Sequence, residues 1–232
     1  WQEADIPLIF YNEAYAFLLG FPNPPDGWVT VPRGDSRGAA WEPVADDDFM
    51  GQTYYRQRLS GGESPQNFTV RVGERYAASL MTMGYFKLSL ASQFRQDLPR
   101  PLAAVFPYTL VVSQFVPSSE FYGAAVLHEA MHAFQGIAAG ERLANGERAN
   151  SQWSGSYPWD DDNLRQGWQA ELDLLNNSLR AKDDAEMIEL ARRFLQHREQ
   201  RRQAAALSDG LIDFERQREW VEGIAKYAEL AA

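Results

Sequence analysis

One short stretch, His128-Glu129-Ala130-Met131-His132, constrains this chain more than any other part of its sequence. We predict that it lies in one helix over residues 118–140, because serines at the start can cap the first free backbone N–H groups and an acidic residue in the first turn favours a helix there. The residues that precede the first histidine are apolar, which predicts a buried helix. Two histidines and a glutamate on a buried helix require a chemical explanation.

The spacing of the two histidines supplies that explanation. Residues four apart lie one turn apart on the same helix face, so the imidazoles of His128 and His132 can bind one metal ion. Glu129 is rotated by about 100° from His128 and is not a third ligand on that face, but it can reach a water on the metal and act as a general base. The alternative is a pair of core histidines satisfied by backbone carbonyls, which requires a partner for every ring nitrogen.

The composition argues against several other classes of function. The formal net charge of −10 argues against nucleic acid and anionic membranes as main partners. No apolar run approaches the ~18 residues that a membrane span needs. Because the chain has no cysteine, a zinc site must use histidine and carboxylate ligands. With 232 residues, 45% of them hydrophobic, the chain is long and apolar enough for a substantial core.

Local patterns predict an α+β fold in which a small mixed sheet packs on the metal-binding helix and the C-terminal half is mainly helical. The predicted strands cover residues 28–31, 67–72 and 102–116, and the predicted helices cover residues 12–19, 74–97, 118–140, 164–182, 184–205 and 211–230. Residues 143–163 are polar and irregular, which predicts a loop. We expect a single catalytic domain, residues 1–232, with two lobes, residues 1–142 and residues 143–232.

The strongest strand candidate, residues 102–116, directly precedes the metal-binding helix. Pro107 removes one backbone donor from it, which favours an edge strand or a bulge. An edge strand at this place could pair with an extended peptide by strand addition. An ordinary strand covered by a loop is equally compatible with the sequence.

A catalytic zinc site usually has three protein ligands and one open position, so a third ligand is needed. With no cysteine, and with His197 in a strongly basic run, we expect that ligand to be a carboxylate. Glu222 is the best candidate, because the small residues Gly223 and Ala225 would let its helix approach the metal-binding helix closely. Glu222 also belongs to a charged stripe that could face solvent, and Glu171 is the alternative ligand.

Two motifs together resemble those of the gluzincin branch of the zincin metallopeptidases. The first is the H-E-x-x-H sequence of residues 128–132, which is typical of zinc metallopeptidases. The second is Glu-Gly-Ile-Ala-Lys-Tyr at residues 222–227, which is similar to the third-ligand helix of the aminopeptidase branch. The resemblance implies a zincin-like fold, a zinc cofactor bound by His128, His132 and Glu222, and hydrolysis of peptide or protein substrates.

The chain departs from the aminopeptidases in two respects. Glu222 follows His132 by 90 positions, a much longer separation than in those enzymes, so two helices would be inserted between the ligands. The chain also has no Gly-Ala-Met-Glu-Asn-type motif, which anchors a substrate amino terminus. The resemblance therefore does not imply aminopeptidase activity.

The resemblance also implies roles for residues around the metal. Glu129 would take a proton from the water that the metal activates and deliver it to the leaving amine. Tyr227 is the expected donor to the oxyanion, and Tyr157 is the alternative. The carboxylates that could orient the histidines through their other ring nitrogens are Glu171, Glu215 and Glu219.

Two other functions are compatible with the sequence. A catalytically inactive zincin-fold protein could serve as a binding or scaffold module, and a helical structural protein could carry the histidine motif by chance. Metal content separates the structural protein from the other two, and turnover of a peptide library separates the enzyme from the scaffold. The chain begins at Trp1 and not at a methionine, so we expect a processed protein with an extracytoplasmic location, periplasmic or secreted. The sequence leaves the oligomeric state open.

Overall fold

The computed structural model describes residues 5–61, 63–115 and 118–230. The strands are β1 (Leu8–Tyr11), β2 (Tyr15–Leu19), β3 (Trp28–Thr30), β4 (Ser36–Arg37), β5 (Glu42–Pro43), β6 (Tyr55–Arg58), β7 (Phe68–Val72) and β8 (Arg75–Met81). The helices are α1 (Met83–Asp97), α2 (Arg100–Val105), α3 (Tyr108–Phe115), α4 (Ser119–Trp153), α5 (Asp162–Leu179), α6 (Asp184–Ala204), α7 (Asp209–Arg218) and α8 (Ile224–Leu230), and a π-helical turn, Glu219–Gly223, joins α7 to α8. The mixed fold confirms the predicted α+β class and the mainly helical C-terminal half.

The eight strands form one curled sheet in the order β4-β3-β7-β8-β1-β2-β6-β5. Only β1 and β8 run parallel among the neighbouring strands, so the sheet is mixed, as predicted, but larger than the small sheet that the sequence suggests. Side chains alternate between its faces. In the β1–β2 pair, Ile9 and Leu18 enter the main core, whereas the cross-strand partners Phe10 and Phe17 lie on the opposite face.

Helix α4 carries both histidines of the motif and packs on the sheet. Tyr76 of β8 lies against Gly136 and Gly140, and a Cβ atom at Gly136 would come within 2.4 Å of the tyrosine ring. These glycines therefore allow a contact that any side chain would prevent. The ring centroid of Phe68 on β7 lies 4.8 Å from that of His132. The sheet thus packs on the helix that carries the histidine motif, as predicted.

Helix α4 is longer than the sequence predicts. Its backbone is non-helical at Ala139 (φ −154°, ψ 54°), which kinks the helix near the predicted end. The chain then continues as helix to Trp153, so the predicted loop over residues 143–163 is wrong for its first half. Leu143 is fully buried, and packing of this apolar residue supports the helix through a polar stretch.

The prediction of a strand over residues 102–116 is wrong. The described residues of this segment form α2 and α3, and residue 116 lies outside the described ranges. Pro107 precedes α3 and its carbonyl accepts a hydrogen bond from Val111 N, so this proline starts a helix and does not mark an edge strand. The strand-addition hypothesis at this segment therefore fails.

Two of the predicted helices contain strands in the structure. In residues 12–19, the Asn12 side chain accepts hydrogen bonds from Ala14 N and Tyr15 N, which closes a turn between β1 and β2. In residues 74–97, the first part is strand β8, and α1 begins only after Thr82, whose side chain caps the helix. The predicted strands at residues 28–31 and 67–72 and the predicted helices at 164–182 and 184–205 are confirmed within a few residues.

The chain forms two compact units. One comprises Arg148–Glu219, and the other comprises the residues up to Glu147 together with those from Trp220 onward. The two lobes predicted from the sequence, residues 1–142 and residues 143–232, put the last helix in the second lobe. In the structure this helix groups with the sheet, because its buried alanines pack on α4. None of the helices in the described ranges combines the length and apolar character that a membrane crossing requires.

Candidate metal centre

Three potential ligand atoms converge in the unit that contains the sheet. Nε2 of His128 lies 3.2 Å from Nε2 of His132 and 3.4 Å from Oε2 of Glu222, and the third side of the triangle, from His132 Nε2 to Glu222 Oε2, is 4.0 Å. A tetrahedral zinc with bonds of ~2.1 Å holds its ligand atoms about 3.4 Å apart. The triangle therefore has the size of a zinc site.

The other ring nitrogen of His132 is held by Gln135, one turn further along α4. The Gln135 amide donates from Nε2 to the carbonyls of Trp220 (2.8 Å) and Val221 (3.1 Å), which leaves its Oε1 to accept from His132 Nδ1 at 2.9 Å. This bond places the hydrogen of the neutral ring on Nδ1 and leaves a lone pair on Nε2. His132 is 2% exposed, so the tautomer is set in a buried environment.

The other ring nitrogen of His128 is held by Glu229 on α8. Its Nδ1 lies 3.2 Å from Glu229 Oε2, and the same carboxylate accepts a hydrogen bond from Lys226. The hydrogen bond with Glu222 is the largest influence on the pKa of His128 and raises it, and burial acts in the opposite direction. Because a carboxylate can only accept, Nδ1 of His128 also carries a hydrogen and Nε2 faces the triangle.

These hydrogen bonds bring three electron-pair donors together. With Nδ1 of both rings protonated, the two Nε2 atoms and the Glu222 oxygen face one point, where Glu222 favours a proton on His128 and a metal ion would replace that proton. Such groups repel one another unless a proton or a cation lies between them. A nitrogen, nitrogen and oxygen donor set is the chemistry that zinc prefers in cysteine-free sites, so the residues present fit a zinc ion.

Glu129 lies beside the triangle and not in it. Burial is the main cause that raises the pKa of Glu129 to about 7, with Glu222 and Glu147 adding to the shift and His128 opposing it. Its Oε2 atom is buried and has no hydrogen-bond partner among the described residues. A carboxyl group with a pKa near neutrality and an unused oxygen next to a metal site can accept and return a proton.

A π-helical turn positions the third ligand. Glu222 lies in the π-turn Glu219–Gly223, whose carbonyls at Trp220 and Val221 are those that Gln135 binds. Single π-turns occur often at functional sites because they re-aim side chains within a helix. Ala225 is fully buried and packs with Met131 of α4, which confirms the expectation for this small residue. The same expectation is wrong for Gly223, because a Cβ atom there would meet nothing within 4 Å.

The structure places the other predicted site residues elsewhere. Glu171, Glu215 and Glu219 form ion pairs with arginines inside the Arg148–Glu219 unit, so they do not orient the histidines. Tyr157 belongs to the same unit and donates to Glu215 at 2.6 Å. Tyr227 lies on α8 with 71% of its surface exposed, and its assignment as oxyanion donor stays a prediction.

Sequence reasoning missed the two residues that orient the histidines. Gln135 lies three positions after His132, so helical spacing alone places it within reach of that ring. Glu229 lies seven positions after Glu222, two turns along the same helix face. Extending the same spacing argument beyond the ligands would have found both residues.

No protein-family model matches this chain, and the comparisons with curated proteins and with solved structures find no match. The interpretation of the site therefore depends on its own geometry and chemistry.

Proposed function

We propose that this chain is a zinc-dependent metallopeptidase of the gluzincin type, with a zincin-like catalytic unit. The observation that supports this most strongly is the convergence of three lone-pair donors, His128, His132 and Glu222, next to a glutamate with an unused oxygen. The two histidines and the first glutamate come from one helix, and the third ligand comes from a helix 90 positions later. This is the ligand order of the gluzincins.

Each residue has a defined task in this proposal. His128, His132 and Glu222 hold the zinc, which when bound polarises the scissile carbonyl and acidifies water. Glu229 and Gln135 keep the imidazoles in the tautomer that presents Nε2. Glu129 removes a proton from the attacking water through Oε2 and delivers it to the leaving amine. A tyrosine hydroxyl, for which Tyr227 is the sequence-based candidate, would donate to the oxyanion.

The decisive experiment measures the metal content and peptide hydrolysis of the purified protein. We expect about one zinc per chain in the wild type, as for a single three-ligand site, and loss of the metal in Glu222→Ala. The matched control is Glu141→Ala, an exposed glutamate on α4, which should keep the metal. Incubation with a mixed peptide library should give cleavage that a chelator abolishes.

Other outcomes would contradict the proposal. A wild-type protein that stays free of zinc in excess metal would contradict the metal site. A zinc-loaded protein that cleaves no peptide in the library would favour an inactive zincin-fold binding module over an enzyme.

A further inference from the structure

The unit that contains the metal centre also has an apolar cavity that the proposed chemistry does not use. Its volume is about 430 Å³, and its walls are formed mainly by Phe10, Phe17, Leu19, Tyr54, Met83 and Tyr122. A cavity of this size lies within the range of small-molecule pockets and has room for one large apolar side chain of a peptide.

The walls of the cavity are fixed by contacts between separate elements. Phe10 and Phe17 are cross-strand partners in β1 and β2, and the Phe10 ring lies 6.4 Å from the ring of Tyr122 on α4. The Tyr122 hydroxyl donates to the carbonyl of Met81 at 2.6 Å, which anchors the α4 wall to the end of β8. The rings of Phe17 and Tyr54 lie 6.5 Å apart. The cavity is therefore preformed.

Helix α4 connects this cavity with the proposed general base. Tyr122 and Glu129 are seven residues apart on α4, before its kink at Ala139. Seven residues make almost two full turns, so both side chains leave the same helix face, with a rise of about 10 Å between them. An extended peptide advances about 3.3 Å per residue. A side chain in the cavity would thus lie about three residues from a peptide bond at Glu129.

The rim of the cavity is acidic. Asp47 accepts a hydrogen bond from the Tyr54 hydroxyl at 2.9 Å, and Asp48 accepts one from Gly51 N at 2.6 Å. Both aspartates are exposed, and neither belongs to a salt bridge among the described residues. Arg56 lies over the ring of Tyr15, with its guanidinium carbon 5.7 Å from the ring centroid. Two carboxylates beside an apolar cavity favour a cationic group next to an apolar one.

We propose that the cavity is a substrate subsite that binds a large apolar side chain, such as that of phenylalanine, leucine or methionine. This side chain lies about three residues from the cleaved bond. It is adjacent to a lysine or arginine that contacts the acidic rim. The distance from the cavity to a cleaved bond has a meaning only if the protein is a peptidase, so this part of the inference rests on the proposed function. The cavity, its rim and its ligand do not depend on hydrolysis.

The test uses labelled peptides of alanine, glycine and serine that carry a single phenylalanine followed by lysine, and matched peptides with Ala-Lys or Phe-Glu at that place. Binding to Glu129→Gln protein is measured by fluorescence anisotropy, and the bonds that the wild type cleaves are mapped by mass spectrometry. Met83→Trp fills the cavity, and Leu88→Trp is its control at an exposed position of the same helix. Asp48→Asn removes a rim charge, and Asp46→Asn is its control in the same acidic run.

We expect the Phe-Lys peptide to bind about tenfold more tightly than the Ala-Lys peptide, a preference that Met83→Trp abolishes. Asp48→Asn should weaken binding of Phe-Lys by about threefold and leave Phe-Glu unchanged. Cleavage should fall about three residues from the phenylalanine.

The two proposals fail in different ways. Hydrolysis with no preference for phenylalanine, no fixed distance to it and no response to Met83→Trp would overturn the subsite and keep the peptidase. Selective binding that Met83→Trp abolishes, without hydrolysis of any peptide by the zinc-loaded wild type, would support the cavity's ligand and overturn the peptidase.

Discussion

Both units of this protein bury carboxylates, but they satisfy them in different ways. In the Arg148–Glu219 unit, Glu171 and Glu215 are almost inaccessible to solvent. Arg201 contacts both carboxylates, and Arg202 and Tyr157 add hydrogen bonds to Glu215. All four carboxylate oxygens accept hydrogen bonds, two of them in an ion pair of Glu215 with the Arg201 guanidinium. The protein itself supplies the positive charge there.

The candidate metal centre has a different arrangement. Oε2 of Glu129 has no hydrogen-bond partner in the part of the chain that the structure describes, and the charges that act on the pKa of Glu129 are those of His128, Glu222 and Glu147. The donor atoms of His128, His132 and Glu222 point toward one another. The difference teaches that a buried carboxylate paired with arginine stabilises the fold, whereas one placed among other lone-pair donors is a candidate for binding a cation.

The largest expected effect concerns Glu129. Glu129→Gln should lower kcat/KM for peptide hydrolysis by about 10³-fold, because the amide cannot accept the proton of the attacking water. The zinc content should not change, since Glu129 is not a ligand. Assays of hydrolysis and of bound metal check both parts, and Glu120→Gln, an exposed change on the same helix, is the control. Activity of Glu129→Gln comparable to that of the wild type would contradict the assignment of Glu129 as the general base.

Replacement of the buried glutamate Glu215 in the Arg148–Glu219 unit should change the stability of the fold. Glu215→Gln should lower the free energy of unfolding by about 3–5 kcal/mol, because it removes the carboxylate charge that Arg202 contacts and one of the two that Arg201 contacts in a buried environment. Glu129→Gln should change it little or raise it, because the neutral amide carries no charge that burial would disfavour. Urea unfolding followed by circular dichroism measures both. Equal losses in the two variants would contradict the contrast between the units.

A smaller effect is expected for the residue that orients His132. Gln135→Leu should weaken zinc binding by about 10- to 100-fold, because the hydrogen bond that fixes the tautomer is lost. Competition with a chromophoric chelator measures the dissociation constant. Gln152→Leu, an exposed change on the same helix, should leave it unaltered, and an equal loss in both variants would argue against a specific role of Gln135.

The last prediction concerns the pH dependence of stability in chelator-treated protein. The pKa of Glu129 is raised mainly by burial to about 7, so its contribution to stability is present below its usual pKa of 4.5 and is lost as the pH rises through about 7. For Glu215 burial opposes ionisation, but hydrogen bonds from Arg201, Tyr157 and Arg202 outweigh it and lower the pKa. Its contribution is present above 4.5 and is lost as the pH falls through the lowered pKa.

The urea concentration at the midpoint of unfolding, measured from acid to neutral pH, separates the contributions of Glu129 and Glu215. Glu129→Gln should flatten the profile on the neutral side, and Glu215→Gln should flatten it on the acid side. If Glu129→Gln flattened the acid side and Glu215→Gln the neutral side, the two carboxylates would not be charged as the structure indicates.

Helical spacing by itself determined the part of this protein that lies within a few turns of chain. It placed His128 and His132 on one face with Glu129 beside it, and it found the helices near residues 164–182 and 184–205. These predictions succeed because an amphipathic helix or a metal pair on one helix depends only on neighbours three or four residues away. The same local reasoning mistook residues 102–116 for a strand, because apolar β-branched residues pack in either element.

Only the tertiary structure decided between Glu222 and Glu171 for a place beside the histidines. The small residues after Glu222 and its resemblance to a third-ligand motif made it the first candidate, but local sequence does not show which glutamate meets the histidines. The long-range packing of Ala225 on α4 and the bonds from Gln135 to the π-turn bring Glu222 to the histidines, whereas Arg201 holds Glu171 in the other unit. Which charges meet depends on contacts between residues far apart in the chain, and spacing along the sequence carries no information about them.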